Sequence, residues 1–243
     1  MSNTRAFLAL ANLLGHESLL NAKILHRDVS IGNVMLTEPE DDGFLIDLDL
    51  AVKIDREKAS GAPGKTGTKV FMAIGALYGE EHSFMHDLES FFWVLFWICI
   101  HWNGTGQERS KTEYESWNFK DMKELAEIKK GKVDEEDKFD KEVNDNCTAY
   151  CRSLIPCIQE LRKVVFPEGK RWLREERQLY SQMKLVLEKA KNGLTALAEE
   201  KVEEVAEAEA SEPKKRAPPR CSLCHSFEHN ARTCPRRQGT NVQ

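Results

Sequence analysis

The sequence predicts a mainly α fold with one small β-hairpin, followed by a short metal-stabilised module on a flexible tail. Three observations carry this prediction. Apolar residues recur at three- and four-residue intervals near the amino terminus and reappear as an apolar run over residues 91–98. Two short apolar runs, 34–36 and 44–46, flank a segment rich in Pro, Asp, Glu and Gly, the pattern of a hairpin. Near the carboxyl terminus, residues 221–234 read CxxCxxxxHxxxxC, the spacing of a closed zinc site.

Length and composition bound the classes. At 243 residues, with 41% hydrophobic content, the chain holds one sizeable domain and a small appendage. The net charge of -5 is uneven: residues 211–243 carry +5 and the remainder -10, an acidic body with a basic tail that suits an anionic partner. No basic region followed by an apolar core and a small-residue cleavage site is present, and the run at 91–102 is shorter than the ~20 residues a bilayer demands. Seven cysteines, an odd number, favour a reducing compartment. The expected location is therefore intracellular, without a membrane partner: cytoplasmic, or nuclear if the basic cluster at 213–220 is an import signal.

In order along the chain, Phe7, Leu8, Leu10, Ala11, Leu14, Leu19 and Leu20 predict a buried helix over residues 4–23, with Gly15 a candidate interruption. It runs into HRDVSIGNVMLTEPEDDGFLID, residues 26–47. Asp28 follows His26 and Arg27, Asn33 comes five residues later, and Asp47 ends the second apolar run of the hairpin. This is the order and spacing of a protein-kinase catalytic centre. Phosphoryl transfer needs a carboxylate to take the proton from the attacking hydroxyl, and an amide and a second carboxylate to hold magnesium against the nucleotide phosphates. The hairpin would let Asn33 and Asp47 leave from the same end. GAPGKTG at residues 61–67 is not a P-loop, because the earlier glycine that GxxxxGK[ST] requires falls at Ala59. Gly67-Thr68 followed by Phe71-Met72-Ala73 is instead similar to a kinase activation segment, with Ile74 and Gly75 where Pro and Glu are usual. That departure predicts loss of a buried ion pair and weaker anchoring. Asp87 opens the run HDLESFFWVLFWIC, which suits a central helix buried on every face; the aspartate either caps that helix or accepts hydrogen bonds from the 26–28 loop.

Together HRDVSIGN, LIDLDLA, the GT/FMA segment and HDLESFFWVLFWIC resemble the fungal-type protein kinase family, and the likeness continues to about residue 191. The resemblance implies a protein kinase-like C-lobe over residues 1–191 without its N-lobe. It implies transfer from MgATP to a Ser/Thr hydroxyl of a protein substrate, with Asp28 as base in a loop shaped by His26 and Arg27, and Asn33 and Asp47 on Mg2+. Thr68 would bond to Asp28, and Asp87 would hold the loop. Ser30 and Asp49 depart from typical serine/threonine kinases, which carry Lys and Gly there. No glycine-rich loop or strand lysine precedes the first helix, so the chain alone is expected to be inactive. A non-catalytic scaffold and a nucleic-acid-binding protein acting through its tail are the alternatives.

Residues 104–146, polar around Trp117 and Phe119, read as a mobile insertion with one or two helices, residues 122–130 being the best candidate. Cys147, Cys151 and Cys157 read as small buried hydrophobes. Residues 192–220 form an acidic helical and then basic linker, whose PKKRAPPR is an import signal, a nucleic-acid contact or a solvated spacer. In the tail, Cys221, Cys224, His229 and Cys234 predict a Zn2+ knuckle over residues 221–234, with a basic tail at 235–243. CSLCHSFEHNARTCPRR resembles the CCHC knuckles of retroelement-derived proteins, which implies single-stranded nucleic acid at Arg220, Phe227, Arg232, Arg236 and Arg237. Glu228, before the histidine, keeps a protein partner open.

Overall fold

The computed structural model describes residues 4–37, 43–54, 67–104, 112–172 and 174–211. The zinc-knuckle cysteines and His229, the basic segment 213–220 and most of GAPGKTG lie outside them. Two compact units divide the chain, Met1–Ala198 and Glu199–Gln243. In the first, α1 (Thr4–Asn21) leads to β1 (Ile24–Leu25), β2 (Val34–Leu36), β3 (Gly43–Leu45) and β4 (Val52–Lys53). Then come α2 (Ile74–Tyr78), α3 (Phe84–His101), α4 (Met122–Asp134), α5 (Glu136–Asn146), α6 (Ile155–Val165) and α7 (Gln178–Ser211), joined in places by short 3-10 turns. The described fold is mainly helical with two small antiparallel ladders. β2 pairs with β3 in the register Val34 to Leu45, Met35 to Phe44 and Leu36 to Gly43, while β1 pairs with β4.

α1 is continuous through Gly15, and a Cβ there would meet the Gly43 carbonyl at an ordinary contact distance of 3.8 Å. The helix packs against the hairpin at that point. α3 is the central element: Leu88, Phe91, Phe92, Trp93, Val94, Leu95, Phe96 and Ile98 are all buried. Its start is fixed by Ser83, whose N–H donates to His86 Nδ1 at 3.0 Å, so Asp87 is already inside the first turn and is not the cap.

Residues 112–146 contribute to the core. Tyr114, Trp117, Leu125, Ala126, Val133, Phe139 and Val143 are buried, and aromatic edges of Trp93 and Phe96 meet Trp117 and Tyr114. Trp117 anchors as expected, whereas Phe119 is 87% exposed and anchors nothing. α4 begins where the Asp121 carboxylate accepts from the Glu124 N–H at 2.8 Å, and α6 begins with Pro156 in its first turn. Cys147, Cys151 and Cys157 are buried, as small hydrophobes are. α7 is helical throughout, as expected for the acidic stretch from residue 192, and it starts earlier, with Leu179, Tyr180, Met183, Leu187 and Leu194 buried against the core. Their three- to four-residue spacing supplies one apolar stripe.

Candidate active site

The loop between β1 and β2 is pinned from below by α3. Asp87, 1% exposed, accepts the backbone N–H groups of His26 and Arg27, each at 3.0 Å. The same carboxylate accepts from His16 Nε2 at 2.9 Å and His82 Nε2 at 2.8 Å, so four donors from three parts of the chain converge on it. On its other nitrogen, Nδ1, the His16 ring meets the Tyr180 hydroxyl at 2.5 Å. Burial by itself would raise the Asp87 pKa, but the hydrogen bonds from His16 and His82 outweigh it and hold the carboxyl well below its ordinary value. Arg27 adopts φ 69, a left-handed conformation that a non-glycine residue adopts only under constraint, and the bonds of its own N–H to Asp87 and of the next N–H, that of Asp28, to His26 Nδ1 flank its α-carbon and supply that constraint.

His26 is fully buried and ties the loop to the hairpin. Its Nδ1 accepts from the Asp28 N–H at 3.3 Å, which leaves Nε2 to donate to the Ile46 carbonyl at 3.1 Å. The Ile46 N–H in turn donates to the Asn33 carbonyl at 3.0 Å. Residue 47 therefore leaves β3 beside both ends of the loop at residues 26–33.

Asp28 and Asn33 meet directly. Asn33 Nδ2 donates to the Asp28 carbonyl at 2.9 Å and to its Oδ2 at 3.2 Å. The other carboxylate oxygen, Oδ1, accepts the Thr68 backbone N–H at 2.7 Å. Thr68 thus reaches Asp28 through its main chain. Gly67 makes that approach feasible: its φ is +113, and a Cβ there would lie 2.9 Å from the Arg27 carbonyl and 3.2 Å from Asp28 Oδ1. Asp47 adopts φ 61 and is exposed, with Oδ1 accepting the Asp49 N–H at 3.3 Å. Asp28 and Asn33 are joined side chain to side chain, whereas Asp47 is brought near through backbone bonds of Ile46. Among the described residues, no three His, Cys, Asp or Glu side chains gather as a metal site, so a cation here would rely on one carboxylate and one amide.

As expected, residue 75 itself makes no buried ion pair behind the 68–74 segment. Gly75 has no side chain to offer, yet Arg171 forms a two-pronged pair with Glu80, Nη1 to Oε2 at 2.9 Å and Nη2 to Oε1 at 2.8 Å. The Glu80 N–H is itself bonded to the Gly75 carbonyl at 3.0 Å. A Cβ on residue 75 would collide with Glu80 Oε2, His86 Nε2 and Arg171 Nη1, so the pair occupies the space that glycine leaves.

Sequence reading passed over His16, His82, Glu89, Lys129, Arg171 and Tyr180. Two of them carried a signal. Glu89 is an acid in an otherwise apolar run, and Lys129 falls on the Met122, Leu125, Ala126, Val133 stripe of α4. The others are distant in sequence and have no pattern to betray them.

No curated protein matches the chain. Residues 2–99, which hold the catalytic loop, the hairpin, the Thr68 segment and α3, match the model of the family described as fungal protein kinase, and this supports a relationship of the chain to that family.

Proposed function

We propose that the chain is a protein kinase-type phosphotransferase, acting from MgATP to a protein Ser/Thr hydroxyl. The observation that carries this reading is the Asp28 carboxylate, fixed between Asn33 Nδ2 and the Thr68 N–H above a loop that Asp87 holds. Asp28 would take the proton of the acceptor hydroxyl, with Asn33 and Thr68 keeping its carboxylate oriented. The donor set suits a hard cation: Asn33 spends its Nδ2 on Asp28 and keeps its amide oxygen, and the Asp47 carboxylate is exposed. When bound, magnesium neutralises charge on the transferring phosphate.

The 243 residues contain no glycine-rich loop of the kinase type and no strand lysine to position phosphates. Loss of one preorganised donor commonly costs ~10²–10³ in rate, and loss of the whole clamp costs more. Radiolabelled transfer from ATP to Ser/Thr peptides is therefore expected to show no turnover by this polypeptide alone. Turnover that vanishes in Asp28→Ala would overturn the inactivity, and turnover that survives it would overturn the role of Asp28.

The tail supports a second activity by its spacing. Cys221, Cys224, His229 and Cys234 would form a structural zinc knuckle that binds single-stranded nucleic acid through its arginines, with a protein partner as the alternative. One zinc per chain, lost in Cys221→Ser, and salt-dependent RNA binding abolished by chelator are the expected results. RNA binding indifferent to salt and chelator would favour the protein partner.

A further inference from the structure

The segment that reaches Asp28 through Thr68 is gripped again, a few residues on, by two buried charged side chains from outside the catalytic loop. Lys129 of α4 is 0% exposed, and its Nζ donates to the Met72 carbonyl at 2.7 Å. Glu89 of α3 is 7% exposed, and its Oε1 accepts the Ile74 N–H at 2.7 Å. The two holds close on either side of Ala73. They are linked through Trp93, whose Nε1–H donates to Glu89 Oε1 at 2.9 Å and whose ring centroid lies 4.5 Å from Lys129 Nζ. The Trp117 ring flanks the same ammonium at 5.6 Å.

Burying these groups is costly, and stability alone does not call for it. An apolar side chain of similar length at residue 129 would fill the same space without losing the hydration of an ammonium. The strain shows on both partners: burial pushes Lys129 down to about 7 against the pull of Glu89, and it pushes Glu89 upward against its hydrogen bonds to Trp93 and Ile74. What an apolar residue cannot supply is a donor long enough to reach the Met72 carbonyl. The return on the buried charges is therefore geometric, a fixed backbone at residues 72–74.

We infer that Lys129 and Glu89 are a positioning pair that sets residues 68–74 against Asp28, so that α4 belongs to the apparatus presenting the acceptor hydroxyl. Neither side chain touches the reacting atoms. Calling the presented group an acceptor rests on the phosphotransferase reading, whereas the positioning itself is measurable without any turnover. α4 lies outside the residues matched to the kinase family, so this role is not carried over from that match.

Backbone amide exchange of the full chain tests the pair. Lys129→Met, which keeps length and removes the donor, is expected to speed exchange across residues 68–74 at least tenfold, Thr68 included. Exchange in the middle of α3 and in α6 should stay as in the parent protein. Glu89→Gln keeps an oxygen acceptor for Ile74 and should retain protection, whereas Glu89→Leu should lose it, so the comparison stands even if Lys129→Met folds poorly. Unchanged exchange at 68–74 in both Lys129→Met and Glu89→Leu would overturn the inference. A uniform rise through every helix would overturn it too, since that is the signature of lost core packing. Failure of the phosphotransferase reading would leave these exchange results untouched.

Discussion

On one side of Asp28 the chain is held by buried polar groups, and on the other it lies open. Towards α3, Asp87 gathers His26, Arg27, His16 and His82, while Glu89 and Lys129 hold residues 72–74. Towards the hairpin, Met35, Phe44, Ile46 and Leu48 are exposed, as is Asp47, whose side chain accepts the Asp49 N–H. The position of the Asp28 carboxylate is thus determined by the folded chain itself. The Asp47 carboxylate lies exposed just past the end of a short ladder.

The largest effect expected on the held side comes from Asp87→Ala. It strips the shared acceptor from two backbone N–H groups and two histidines inside the core, and breaking a buried charged network of this kind costs about 3–5 kcal/mol. Denaturant unfolding checks it, and a loss under 1 kcal/mol would mean that the loop is held by other means.

That network also marks the limit of what the sequence could disclose. The meeting of Asp28 and Asn33 was legible because it depends on local spacing around one hairpin. Asp87 was legible only as one of two options, since helix capping and loop anchoring look alike until Ser83 is seen to start α3. His16 and Tyr180, separated by 164 residues, meet through packing that no local pattern encodes. The element least well read was residues 112–146: its charged surface suggested an insertion, whereas the buried face of each helix is only a few residues wide, and Lys129 on that face argued against an apolar stripe. The exchange of Pro-Glu for Ile74-Gly75 pointed to a missing ion pair, and Glu80 with Arg171 supplies one from a position five residues on.

Gly67→Ala should weaken the held side less, by about 1–3 kcal/mol, because a side chain would be forced into a left-handed conformation against the Arg27 carbonyl. Thr68 amide exchange should rise with it. The next effect is in pH. Lys129 binds its proton near pH 7 when folded and near 10.5 when unfolded, so between those values the unfolded chain carries more protons and stability rises with pH. Lys129→Met should flatten that part of the unfolding profile relative to the parent protein, and parallel profiles would contradict the burial. Asp87 works at the other end: its contribution is present above the ordinary carboxylate value of 3.8 and is lost as pH falls below it. On the open side, Phe44→Ser should change stability by no more than about 0.5 kcal/mol, as surface substitutions do.

The most direct test of the metal-side assignment uses Mn2+ as a paramagnetic probe, added with ATP to the full chain while backbone resonances are followed. Broadening should centre on Asn33 and on residues 46–49, and it should disappear from them in Asp47→Asn. Broadening that bypasses both places, or that persists there without the Asp47 carboxylate, would contradict a shared cation site at the mouth of the hairpin.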